Sequence, residues 1–133
     1  IKKYSFIKDI DKYLSENVKY GFHVHAPSTS VPKDGPSAGC AFTTAFISRI
    51  LEKPINNRVA MTGEIDLLGN VTKIGGLEYK LNGAKKAGVN KILISVENKS
   101  DYEKIKNDDP KLFENLEIIL IKTIEDIVPH ALI

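Results

Sequence analysis

The chain has 133 residues, 42% of them hydrophobic, with 19 Lys and Arg against 17 Asp and Glu and a net charge of +2. That length supports one compact domain around a single core. Charge of both signs is dispersed, so no basic face invites nucleic acid; a single cysteine excludes an internal disulfide framework; and no apolar run approaches the roughly 20 residues of a membrane span.

The absence of a signal-like apolar start, with one cysteine, agrees with a reducing compartment. Because the first residue is Ile1 rather than methionine, the chain is expected to be a piece of a longer protein or a processed product. Residues 5–17 carry Phe6, Ile7, Ile10, Tyr13 and Leu14 on one helical stripe, with Ser5 as N-cap. Phe22, Val24 and Ala26 then alternate with His23 and His25, which is strand periodicity and sends both histidines to one face. From residue 28 to 35 the chain is small, polar and turn-forming, and Pro36 suits the first position of a helix capped by Asp34 or Gly35. That helix is expected to run to about Leu51 and, with apolar residues round most of its circumference, to be largely buried.

Residues 59–61 begin a second apolar strand, and residues 64–74 form a hairpin turning at Gly69-Asn70, a pair that tolerates positive φ. Gly75-Gly76 ends that unit. A helix follows from about Leu77 to Ala87 and stops at Gly88, then residues 91–96 read as a buried strand. Residues 101–106 are expected to be helical, Asp109-Pro110 a turn, residues 117–121 a strand, and residues 124–131 a last helix broken near Pro129. The charge-dense stretch 97–109 mixes both signs and reads as a solvated helix face. Strand and helix alternate, so the fold class is α/β.

Turn residues crowd into Pro32-Lys33-Asp34-Gly35-Pro36 just ahead of Ser37. A hydroxyl at a helix start lies among backbone N–H groups and the positive end of the helix dipole, which suits an oxyanion in acyl transfer; ordinary capping is the commoner use of such a serine. Serine needs a neighbour to accept its proton. A lysine does so when its amine is uncharged, a form favoured by removal from water. Lys80 stands with Leu77, Leu81 and Ala84 at helical spacings, on the apolar stripe, while Lys85 and Lys86 fall toward water; a snorkelling side chain is the alternative. His23 and His25 could also begin a metal site, for which His130 offers a third ligand without spacing support. Cys40 fits buried packing better than nucleophilic attack, and no G-x-S-x-G elbow marks a serine with a histidine base.

Three blocks, Lys33-Asp34-Gly35-Pro36-Ser37-Ala38-Gly39, Ala60-Met61-Thr62-Gly63-Glu64 and Ile74-Gly75-Gly76-Leu77 with Lys80, resemble the signature blocks of Lon proteases, in the same order. The 43 residues from Ser37 to Lys80 are similar to that family's separation. The resemblance implies an α/β proteolytic domain over residues 1–133, with a mixed sheet flanked by helices. The family's domain begins with further strands absent here, so the fold expected is one truncated of its N-terminal strands. Glu78-Tyr79 replaces the family's usual Lys-Glu.

By that resemblance Ser37 is the nucleophile and Lys80 the general base, and Thr62 orients the lysine amine. Backbone N–H groups near Gly35 and Ser37 form the oxyanion hole, Asp34 belongs to the turn that opens or occludes the site, and His25 supports the serine loop or Glu64. No metal or other cofactor is implied. ATP and Mg are expected only through an ATPase domain, since this chain has no GxxxxGK[ST] loop. The implied partners are protein or peptide substrates and further copies of the chain in a hexameric ring, with neither nucleic acid nor membrane. A Lon-like module kept only for assembly is the competing reading.

Overall fold

The computed structural model describes residues 7–17, 19, 21–25 and 36–133. Among the described residues the order is α1 (Ile7–Glu16), α2 (Gly39–Leu51), β1 (Val59–Met61), β2 (Glu64–Ile65), β3 (Val71–Thr72), α3 (Leu77–Lys86), β4 (Lys91–Ser95), α4 (Lys99–Asp108), β5 (Glu117–Ile121) and α5 (Ile124–Ala131). Short 3-10 turns at Val96–Asn98 and Pro110–Phe113 flank α4.

β4 is the central strand. It pairs in parallel with β1, Ala60 opposite Ile92, and with β5, Leu93 opposite Ile119. Its continuous apolar run follows from cover on both faces, as in parallel sheets generally. Ile92 and Ile94 enter one core cluster with Leu77, Leu81, Leu112 and Leu116, beneath α3 and α4. Leu93, between them, enters the opposite cluster with Cys40, Ile121, Ile127 and Ala131, beneath α2 and α5. β1 and β5 divide their residues in the same way, because successive side chains of a strand point to opposite faces. The result is a helix–sheet–helix sandwich, the α/β class expected. The expected hairpin is the antiparallel pair β2–β3, which stands apart from the three-stranded parallel sheet, so among the described residues parallel and antiparallel pairing both occur, in two sheets.

The hairpin turn is built on Asp66. Its Oδ1 accepts the N–H groups of Leu68 and Asn70, both at 2.9 Å, and its Oδ2 accepts from the Asn70 amide at 3.0 Å. Gly69 at φ +82° takes the left-handed position that the turn demands.

Four local expectations are corrected. Residues 21–25 are exposed and form no strand; instead Phe22 stacks on Tyr13 (centroids 6.0 Å apart) and packs on Phe46 (4.9 Å), joining α1 to α2. Only one face of α2 is buried, at Cys40, Thr44 and Ile47, while Phe42 is exposed. The helix at 101–106 is longer, Lys99–Asp108. Pro129 does not break α5, which continues to Ala131: in so short a helix the missing N–H costs a single i→i−4 bond, to the Glu125 carbonyl in the first turn. The Ser5 cap lies outside the described residues.

Candidate active site

Ser37 sits in a turn two residues before α2, and not within its first turn as the sequence suggests. The reason is visible in its carbonyl, which accepts the Gly63 N–H at 3.2 Å and the Thr62 hydroxyl at 3.4 Å. Those donors come from the chain leaving β1, so the serine backbone turns toward the sheet before helical bonding begins with Phe42 N–H to Ala38 carbonyl, 3.0 Å. The Gly63 carbonyl accepts in turn from the Cys40 N–H at 3.2 Å. Gly63 thus grips the serine turn on both sides, and Thr62 is itself tied to the sheet by its N–H to the Leu93 carbonyl, 3.1 Å.

A Cβ at Gly63 would come within 2.5 Å of Val71 Cγ1 and 2.9 Å of Cys40 Sγ, and one at Gly39 would stand 3.0 Å from the Ile65 nitrogen. Both glycines permit backbone approach where a side chain has no room.

Ser37, Thr62 and Lys80 line one cavity of about 390 Å³, with Ala60, Leu77 and Ile92 among its apolar walls. It lies at the carboxyl end of β1, where ligands are usually bound in parallel α/β sheets. Lys80 reaches it from the first half of α3, whose start is set by Gly76 at φ +67°. Leu77 and Leu81 are buried, but Lys80 is exposed at the cavity's edge; this corrects the expectation that it lies on the buried face. At 100° per residue Lys80 stands about 60° from Leu77 and about 100° from Leu81, on the border of the stripe. Among the described residues no hydrogen bond joins Ser37 to Lys80, and the Thr62 hydroxyl faces the Ser37 carbonyl rather than the lysine amine. Catalytic hydrogen bonds commonly tighten only when substrate is bound.

Glu64 is half-buried in β2, and His23 and His25 are exposed; none of the three lines this cavity. Asp34 and Gly35 lie outside the described residues. Burial pushes the Cys40 thiol up to about 11 from its usual 9.0, which leaves little thiolate at neutral pH. Glu78 and Tyr79 face solvent away from the cavity, so the departure from the Lon pattern at these two positions leaves its walls unchanged. Sequence reasoning missed Asn98: it lies in the polar stretch read as a solvated face, yet it is wholly buried. A lone asparagine among charges carries no signal of that.

The fold and the cavity together define an α/β domain with a serine and a lysine, contributed by different elements, at the mouth of one apolar pocket. The family profile of the Lon protease (S16) C-terminal proteolytic domain matches residues 3–133. The chain is 54% identical over 127 residues to a Lon protease homolog of Acanthamoeba polyphaga mimivirus, covering 93% of this chain and 12% of that protein. It is 44% identical over 131 residues to the Lon protease of Rickettsia typhi (98% and 15%) and 39% identical over 133 residues to that of Lachnoclostridium phytofermentans (97% and 16%). The chain belongs to the Lon protease family, as a Lon-type proteolytic domain, and it spans 12 to 16% of the length of these relatives.

Proposed function

We propose that this domain is a serine endopeptidase in which Ser37 attacks the scissile carbonyl and Lys80 is the general base. The observation that supports this most is that Ser37 and Lys80, 43 residues apart in sequence, line the same cavity. In the first step the uncharged Lys80 amine takes the Ser37 hydroxyl proton as Oγ bonds to the carbonyl carbon. The ammonium so formed gives its proton to the leaving amine, the C–N bond breaks and an acyl-serine remains. Water, deprotonated by the same amine, then releases the acid and restores Ser37. The chemistry asks for no metal. Thr62 holds the serine turn in place through the Ser37 carbonyl, a positioning role on the serine side of the pair.

Lys80 is exposed at the cavity's edge, where a peptide lying across the mouth would cover it. In the longer protein, ATP and Mg would act through an ATPase domain that unfolds and delivers protein substrates to a hexameric ring. Cleavage of short peptides by the proteolytic domain is expected to be independent of ATP.

The test is cleavage of a fluorogenic peptide across pH, with and without ATP, in parallel with folded Ser37→Ala and Lys80→Ala. The expected result is activity that rises toward alkaline pH, ignores ATP and drops by at least about 10³-fold in either variant. Labelling by a serine-directed peptide boronate should disappear in Ser37→Ala. Cleavage that survives Lys80→Ala would remove the lysine from the mechanism, and a folded chain that neither cleaves nor labels would favour the assembly module.

A further inference from the structure

We propose that Asn98 is a positioning residue for Lys80, acting through the main chain of Ile74; this rests on the serine–lysine reading above. Asn98 is wholly buried. Its Oδ1 accepts the Ile74 N–H at 3.0 Å, and its Nδ2 donates to the Ile74 carbonyl at 3.0 Å and to Asp101 Oδ2 at 3.0 Å. One side-chain amide therefore satisfies both backbone groups of a single residue, as a neighbouring strand would. Its orientation is fixed chemically: the reverse orientation would set Oδ1 against a carbonyl and a carboxylate, acceptors that hold no proton for it.

Ile74 is separated from α3 only by Gly75 and Gly76. Both are exposed, and a Cβ at Gly75 would meet nothing within 4 Å, so no side chain anchors the chain between Ile74 and Leu77. The Lys80 N–H donates to the Gly76 carbonyl at 3.3 Å. Burial of Ile74 and Leu77 holds this segment against the core, but apolar burial is non-directional and leaves the height of the helix along the groove loosely set. Hydrogen bonds to both sides of Ile74 set it.

The same short stretch of chain also fixes the serine side. Leu93 accepts the Thr62 N–H (3.1 Å), and Ser95 Oγ donates to the Val71 carbonyl (2.7 Å). From Leu93 to Asn98, the end of β4 and the turn after it therefore act as a common ruler, referencing the serine turn through Thr62 and the lysine helix through Ile74. Asn98 is the polar end of that ruler on the lysine side. Loosening it moves the amine relative to Ser37 Oγ without altering the β1 wall of the cavity.

A misplacement of about 1 Å costs roughly 100-fold in rate. In the intact protein, Asn98→Ala is expected to lower kcat for a fluorogenic peptide about 100-fold with KM within about twofold of wild type. Asp101→Ala, an exposed position that removes only one of the three amide contacts, is expected to lower kcat by roughly 2- to 10-fold, the worth of one hydrogen bond, again at constant KM. Folded Asn98→Ala with wild-type kcat, or with a loss that lies mainly in KM, overturns the inference. If Asn98→Ala does not fold, Asp101→Ala decides: reduced kcat at constant KM supports the role and wild-type kcat overturns it. Lys80→Ala is the reference. If it still cleaves, the dyad reading falls and this inference with it; if it is silent while Asn98→Ala is fully active, this inference alone falls.

Discussion

Gly63 is the residue on which the serine turn closes. Its N–H and carbonyl both bond to that turn, and the space a side chain would need is taken by Val71 and Cys40. Gly63→Ala should therefore lower stability by about 2–4 kcal/mol, through overpacking and backbone strain together, read as a reduced urea midpoint at unchanged slope. Gly63 stands in the Met-Thr-Gly-Glu block, and the sequence alone marks the block without saying why a glycine is required. The reason is a distance of 2.5 Å to a residue eight positions later, which no local pattern records. Lys80 shows the complementary limit. Its helical spacing from Leu77, Leu81 and Ala84 was legible, whereas its exposure on the border of the stripe was not, because that depends on where the stripe ends against the sheet.

At the scale of elements, the hairpin and the last helix show how local chemistry decides what a sequence reveals. Gly69-Asn70 announced the turn, because positive φ is a property of the residues themselves. Asp66 completes it, and its carboxyl is held below the usual 3.8, first by the Asn70 side chain and then by the Asn70 backbone. A depressed carboxylate contributes stability that is present above its unfolded value and lost as pH falls through the folded one. The turn should therefore loosen below about pH 3.8, with the amide resonances of Leu68 and Asn70 moving together in NMR titration; Asp66→Asn, which removes the charge, should abolish that coupled shift. Pro129 illustrates the reverse case, since a rule about helix interiors fails in a helix whose interior is barely one turn. The segment 21–25 alternates like a strand, but alternation expresses only which face is apolar; pairing requires a partner, and Phe22 is engaged by Tyr13 and Phe46.

Across the whole molecule the alternation of β4 is the organising fact. Leu93 and Ile94 are adjacent, both fully buried, and belong to opposite clusters. Leu93→Ala and Ile94→Ala should each cost about 2–5 kcal/mol; a sheet covered on one face only would tolerate one of the two, so unequal urea midpoints with one near wild type would contradict the sandwich. The α/β class and nearly every element after residue 36 were legible, because their periodicities are local. The division of the sheet into a parallel trio and a separate hairpin was not, because it depends on which distant strands meet.

The ruler along Leu93–Asn98 also orders events in time. A chain growing from its amino terminus contains Ser37, Thr62 and Lys80 before it contains the strand that measures them against one another. Until about residue 98 has emerged, the Thr62 N–H lacks Leu93 and the Ile74 backbone lacks Asn98. A nascent chain thus carries Ser37, Thr62 and Lys80 before either of these ties to the end of β4 and the turn after it can form.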